Sequence, residues 1–211
     1  HMKVLGNQKV ENKIVVVDNW YSEQELKAVW KEIDFYTESQ DLERATQNLT
    51  VTGTDKQGNS QAECFRIYFD NFYQPNKRHM SPILSLQKKF LDPEVHQKFK
   101  TIPMGRQFPE TNRDTSFISY YENKDHFKPH FDVFQFTVLI WLYKEPKKFT
   151  GGDLILHDFN NEMVELKNNR LIFFPSYYIH SVNEIKMETE EKHMGRYCIS
   201  HFFYTVDTGR T

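Results

Sequence analysis

The pattern of apolar and polar positions changes near residue 115 of this 211-residue chain. Before that point, helix-spaced apolar groups alternate with long polar stretches. Lys13-Ile14-Val15-Val16-Val17 is a β-branched run that predicts a short buried strand, stopped by Asp18-Asn19. Ser22-Glu23-Gln24-Glu25 forms a capping box, in which the Ser22 hydroxyl accepts from the Glu25 amide and the Glu25 carboxylate reaches back. The helix it opens puts Leu26, Val29, Trp30 and Ile33 on one face, expected to lie against the outside of a sheet. Residues 37–62 are polar and predict a long excursion or hairpin. Ala62 to Tyr73 reads as one strand, with Cys64, Arg66, Tyr68 and Asp70 on one face and Phe65, Ile67 and Phe69 on the other. A second helix is expected from Ser81 to Phe90, with Pro82 in its first turn, and another helical turn from Pro93 through Phe99.

From Thr115 onward the runs are short and strand-like: Thr115–Glu122, Phe134–Lys144, Gly152–Asp158, Met163–Leu166, Arg170–Pro175, Tyr178–Glu184 and Arg196–Thr205. Many short strands behind a helical start predict a mostly β fold with N-terminal helices, and a double-sheet jelly roll (a cupin-like double-stranded β-helix) gives such strands a concave interior. The expected organisation is one domain over residues 3–211. Within it, 3–114 supply helical and strand support and loops, and 115–206 form the jelly-roll core. His1-Met2 reads as a tag remnant. The charged run Lys186–His193 is expected to be a solvated loop.

Composition narrows the classes. A chain of this length buries about 70% of its unfolded surface, so it needs no disulfide or structural metal to fold. The formal charge of −2 gives no electrostatic reason to expect nucleic acid as a partner. No apolar run approaches a membrane span, and no signal-peptide pattern follows Met2. The two cysteines, Cys64 and Cys198, point to a reducing, cytoplasmic setting. The 18 Phe and 11 Tyr suit a strand-rich core of wide side chains.

The candidate chemistry lies between His130 and Arg196. Residues two apart on a strand share a side, so His130 and Asp132 can face one interior point. A third ligand must come from a distant strand, and His180, just beyond the buried run ending at Pro175, is the best placed. His126 would pair with His130 on a helix, but Pro129 argues against one. His157 neighbours Asp158 and faces away from it, and His201 has the wrong strand parity relative to Arg196. Nitrogen and carboxylate donors suit Fe(II), Zn(II) or Mn(II), and two histidines with one carboxylate make the facial triad of non-haem iron oxygenases. An arginine inside a β-core is costly without an anion, so Arg196 wants either a bound dicarboxylate or an internal Asp or Glu. A non-catalytic cupin-like metal or ligand module is the alternative of a different class. A zinc hydrolase would need a positioned base, and no H-E-x-x-H helix is present.

These residues resemble the prolyl-4-hydroxylase and oxygen-sensor prolyl hydroxylase branch of the Fe(II)/2-oxoglutarate-dependent oxygenases. The likeness runs from about Ser116 to Tyr204, and more loosely over Ile14–Trp30. It rests on Tyr121, Phe127, His130 and Asp132, with Lys124 where the collagen-type pattern has glycine. It rests further on Gly151-Gly152-Asp153-Leu154, on Asn169–Phe174 followed by His180-Ser181-Val182, and on Gly195-Arg196-Tyr197. The resemblance implies Fe(II) held by His130, Asp132 and His180, and 2-oxoglutarate held by Arg196. Around the co-substrate it implies Tyr121 or Tyr120, Trp141 with Thr137 and Leu139, and Ser200. It implies a dioxygenase that uses O2 to hydroxylate an unactivated C–H bond with release of succinate and CO2, with ascorbate as reductant. An intact Asp132 favours hydroxylation over halogenation. The implied substrate is a prolyl residue in a peptide or protein, with a free amino acid or small metabolite as the alternative. Residues 37–62 and 104–114 are candidates for a lid, and Arg106 and Arg113 for contacts to an acidic substrate.

Overall fold

The computed structural model describes residues 10–38, 43–44 and 54–209. The elements in chain order are β1 (Val15–Val17), α1 (Glu23–Glu38), β2 (Glu43–Arg44), β3 (Ala62–Glu63), β4 (Phe65–Tyr68), α2 (Pro82–Ser85), α3 (Pro93–Phe99), β5 (Arg113–Tyr121), β6 (His126–His130), β7 (Phe136–Leu142), β8 (Leu154–Leu156), β9 (Glu162–Val164), β10 (Arg170–Pro175), β11 (His180–Val182) and β12 (Arg196–Tyr204). A seven-stranded sheet has the order β1-β10-β7-β12-β5-β4-β2, and a five-stranded sheet has the order β3-β6-β11-β8-β9. Every pairing is antiparallel. The two sheets enclose a core, which makes this a jelly-roll double-stranded β-helix.

Strand alternation sorts the side chains of the large sheet into two layers. On β7, Phe136, Val138, Ile140 and Leu142 join the outer cluster with Ile199 of β12 and Phe173 of β10. Leu139, Trp141, Cys198, Ile172 and Phe174 point inward to meet Leu154, Leu156 and Val182 of the small sheet. Helix α1 covers the outer face. Its capping box forms as the sequence requires, with the Glu25 amide donating to Ser22 Oγ at 3.2 Å and the Ser22 amide to Glu25 Oε2 at 2.8 Å. Val29 and Ile33 are fully buried, and Trp30 meets Tyr197 edge to face at 5.3 Å. Each such buried side chain contributes about 1.5–3 kcal/mol, so the apolar stripe holds the helix in place.

Three expectations are corrected. The segment 62–73 is not one strand. It pairs with the small sheet through β3, crosses at the buried Cys64, pairs with the large sheet through β4, and then turns into a 3₁₀ stretch over Phe69–Asn71. The helix over 81–90 is one turn of α2 followed by 3₁₀ turns. Residues 104–114 form no lid. Phe108 anchors them to the outer layer against Phe99, Phe136 and Phe173, and Arg106 and Arg113 are both exposed. Most of 37–62 lies outside the described residues. Among those described, no helix is long and apolar enough to cross a membrane.

Candidate active site

β6 and β11 are neighbours in the small sheet, and their register sets His180 directly opposite His130. The two imidazoles lie 4.3 Å apart, centroid to centroid. Each ring is fixed by its own backbone: His130 Nδ1 donates to Lys128 O at 2.7 Å, and His180 Nδ1 to Tyr178 O at 2.8 Å. A carbonyl can only accept, so both Nδ1 atoms carry the proton and both Nε2 atoms are turned toward the site. Phe127 stacks on the His130 ring at 3.7 Å, and Phe174 meets the His180 ring edge-on at 5.0 Å.

Asp132 completes the group. It lies past the end of β6, so strand parity does not aim it. Instead its amide donates to Ser176 O at 2.9 Å, and Thr137 Oγ1 donates to its Oδ2 at 2.7 Å. Thr137 Oγ1 also meets Ser176 Oγ at 2.9 Å. His130 Nε2 is 3.4 Å from Asp132 Oδ1, and His180 Nε2 is 3.4 Å from Oδ2. Among the described residues this is the group whose donor atoms could share one ion, all lying within 4.8 Å of one another. Burial and, against it, the Asp132 charge leave His180 lowered to about 4, so its Nε2 presents a lone pair at neutral pH. Burial raises the Asp132 carboxyl, but His180, His130 and Thr137 together take it below the ordinary carboxylate value. A carboxylate facing an imidazole lone pair at this range fits a cation between them. Two nitrogens and an oxygen suit a divalent transition metal.

Arg196 lies deeper in the same pocket, whose walls include Tyr121, Leu139, Val182, Cys198 and Ser200. It is 1% exposed, with its guanidinium 4.8 Å from the Tyr121 ring centroid and 5.6 Å from that of Trp141. Its Nε and Nη2, and Trp141 Nε1, are buried with no hydrogen-bond partner among the described residues. Such orphaned donors are costly, and a carboxylate placed there would satisfy them. Gly152 makes the space: at φ +78°, a Cβ there would lie 2.7 Å from Arg196 Cδ. Lys124, at φ 73°, occupies a left-handed turn that explains the glycine preference of the pattern at this point.

Two expected contacts are corrected. Tyr120 belongs to the outer layer, where its ring packs on Tyr197 and its hydroxyl accepts from the Gly195 amide, so it faces away from the pocket. Tyr121, paired with Arg196 in the sheet, lines the pocket. Thr137 serves the Asp132 carboxylate. The other histidines weighed above stay outside the triad. His157 contacts Ser181 Oγ and Asn161 Oδ1, His126 contacts Lys124 O, and His201 contacts Ser116 Oγ and Gln87 on the outer face. The hold of Thr137 on Asp132 and the space Gly152 leaves for Arg196 are contributions that side-chain type alone did not assign. For Gly152, the double glycine before a strand was the available signal.

Residues 116–204 match the 2OG-Fe(II) oxygenase superfamily. The matched stretch is under half of the chain and carries His130, Asp132, His180 and Arg196, and the chain as a whole shares its fold with solved prolyl hydroxylases. Its fold is similar to a prolyl hydroxylase from Trichoplax adhaerens, solved with a hypoxia-inducible-factor oxygen degradation domain peptide fragment. That pair has 14% identity and a TM-score of 0.63, covering 94% of this chain and 86% of that one. A Pseudomonas putida prolyl-4-hydroxylase is similar at 13% identity and a TM-score of 0.59, covering 97% and 98%. A viral collagen prolyl hydroxylase from Paramecium bursaria Chlorella virus-1, solved with 2OG, is similar at 10% identity and a TM-score of 0.52, covering 92% and 97%. No curated protein matches the chain.

Proposed function

We propose that the chain is a 2-oxoglutarate-dependent dioxygenase that hydroxylates an unactivated C–H bond, with a prolyl residue in a peptide or protein as the first candidate substrate. The observation that carries the reading is the convergence of His130, Asp132 and His180 at the mouth side of a pocket that ends on the orphaned donors of Arg196. His130 and His180 would each give one Nε2, and Asp132 one carboxylate oxygen, to Fe(II). Thr137 and Ser176 hold that carboxylate in orientation. Arg196 would grip the far carboxylate of 2-oxoglutarate bidentately, with Trp141 Nε1 as a further donor and Tyr121, Leu139 and Ser200 as walls. When bound, Fe(II) would serve to activate O2, the oxidant, with 2-oxoglutarate giving up two electrons as it is decarboxylated to succinate and CO2, so that one oxygen atom goes to succinate and the other to the substrate. The buried apolar lining excludes water from the reacting centre.

The peptide-bound Trichoplax enzyme supports a peptide substrate, as does an open cleft of about 640 Å³ beside His130 and Asp132. A free amino acid is the second reading, favoured by the cationic side chain of Lys56 in that cleft. A cytoplasmic setting belongs to the same proposal, supported by Cys64 and Cys198 being free, and ascorbate as reductant is carried only by the resemblance to the prolyl hydroxylases. The test is an anaerobic titration of metal-free protein with Fe(II) and then 2-oxoglutarate. A visible charge-transfer band of the chelated keto acid, followed by succinate on admitting O2, is expected. Iron binding without the band would refute the role of Arg196.

A further inference from the structure

The chain neighbours of two triad residues are apolar and turned to solvent. Phe131 and Val133 flank Asp132 and are 59% and 82% exposed, and Ile179, just before His180, is 40% exposed. All three line the open cleft beside His130 and Asp132. Their backbone is pinned although their side chains are free. The Asp132 amide donates to Ser176 O at 2.9 Å and the Gln135 amide to Phe203 O at 3.1 Å. The Ile179 amide donates to Asp158 Oδ2 at 2.8 Å, and its carbonyl accepts from the His157 amide at 2.9 Å. Below this rim the apolar surface continues inward. Phe134 stacks on Phe202 at 5.0 Å, and Phe202 meets Phe117 at 5.4 Å. Phe117 and Phe202 line both the cleft and the inner pocket, so an apolar strip runs from the rim to the metal position. Folding does not account for the rim, because side chains this exposed remove little area from water. Scattered exposed apolar residues are ordinary, but a group held rigidly around one candidate metal centre marks a binding surface.

We infer that this rim docks a peptide segment and selects a bulky aliphatic or aromatic side chain next to the oxidised residue. This rests on the dioxygenase reading above. Consecutive Cα atoms lie about 3.8 Å apart, so the side chains beside the oxidised residue fall on the residues beside the metal ligands. The cleft of about 640 Å³ lies within the range of about 300–1,000 Å³ that holds a drug-sized molecule. A lone small metabolite at the metal would leave the rim in water, whereas a peptide covers it. A preformed apolar surface needs no ordering when the peptide arrives.

The test uses the full chain loaded with Fe(II) and 2-oxoglutarate. Succinate formation is measured with pools of N-acetyl pentapeptide amides. Each pool fixes one central residue and carries either Leu and Phe, or Ser and Gln, on both sides of it. With the same central residue, the apolar-flanked pool is expected to stimulate about tenfold more than the polar one. Val133→Ser and Ile179→Thr should each raise the apparent KM for the apolar pool about tenfold and leave kcat near wild type, because they remove contacts made before the chemistry. Both should keep the iron and keto-acid titrations and the urea midpoint of wild type, which shows that they fold. A second arm needs no turnover. The apolar and polar pools are titrated into protein loaded with Zn(II) and 2-oxoglutarate, and the methyl signals of Val133 and Ile179 are followed by NMR. Shifts with the apolar pool alone are expected. Equal stimulation by polar pools, free amino acids that stimulate as well as the apolar pools, an apolar preference that survives both substitutions together, or no methyl shift with the apolar pool would each overturn the inference. Absence of the keto-acid band in wild type would count against the dioxygenase reading itself, while the Zn(II) arm still tests the rim.

Discussion

Replacing Arg196 by methionine separates the co-substrate from the metal. Methionine retains apolar bulk between Tyr121 and Trp141 and removes the fork. The guanidinium offers two donors now without a partner among the described residues. A charge-assisted bond is worth about 1.5–3 kcal/mol, so losing two weakens 2-oxoglutarate by about 3–6 kcal/mol. At about 1.4 kcal/mol per factor of ten, the dissociation constant rises about 10²- to 10⁴-fold. Arg196 makes no hydrogen bond to the triad, so Fe(II) affinity should change by no more than about twofold. The assay is anaerobic absorption titration: Fe(II) first, by competition with a chelator, then 2-oxoglutarate, by the keto-acid band. The metal-free variant should be no less stable than wild type, because an uncompensated buried charge has been removed. A 2-oxoglutarate constant raised less than tenfold, or iron weakened in parallel, would refute the assignment.

Thr137→Val keeps the shape of the side chain but withdraws the donor from Asp132. Metal affinity should fall about 10- to 100-fold with little loss of fold, and an unchanged affinity in a chelator competition would show that Thr137 does not matter to the ligand. Gly152→Ala drives a methyl into Arg196 and strains a backbone at φ +78°. It should weaken 2-oxoglutarate about tenfold or more while metal binding holds, as read by the two titrations above. For His201, burial first, opposed by Asp114, lowers the folded value to about 4, against about 6.5 in the unfolded chain. The unfolded state therefore takes up a proton that the native state refuses, and stability falls as pH drops from 6.5 toward 4. At pH 5 that costs about 2 kcal/mol. His201→Gln should flatten the fall in urea midpoint between pH 7 and 5, and an equally steep fall would refute it.

Periodicity revealed the strands whose runs are bounded by strong punctuation. The run Arg170–Pro175 is strand β10 to the residue, because an apolar stretch on both faces ends at a proline. It failed at Cys64, where the in-out alternation continues unbroken while the chain changes sheets, since hydrogen-bond partners leave no trace in side-chain type. The same blindness governed the site. Two histidines and a carboxylate could be picked out, but Asp132 is aimed by Ser176 and Thr137 rather than by strand parity. The choice between Tyr120 and Tyr121 needed the register with β12. Residues 104–114 look like an ordinary polar loop until Phe108 is seen filling the outer layer.

The backbone bonds that hold His130 and His180 have a consequence for metal choice. Each ring is tethered to the carbonyl two residues before it, so the donor set is rigid before any ion arrives. A rigid set of two imidazoles and a carboxylate discriminates poorly among first-row ions, and intrinsic affinity rises from iron through nickel and copper. Which element occupies the site is then decided by supply during folding and purification. The protein's catalytic competence should carry a memory of the metals it has met, erased by chelation and rewritten by reloading with Fe(II).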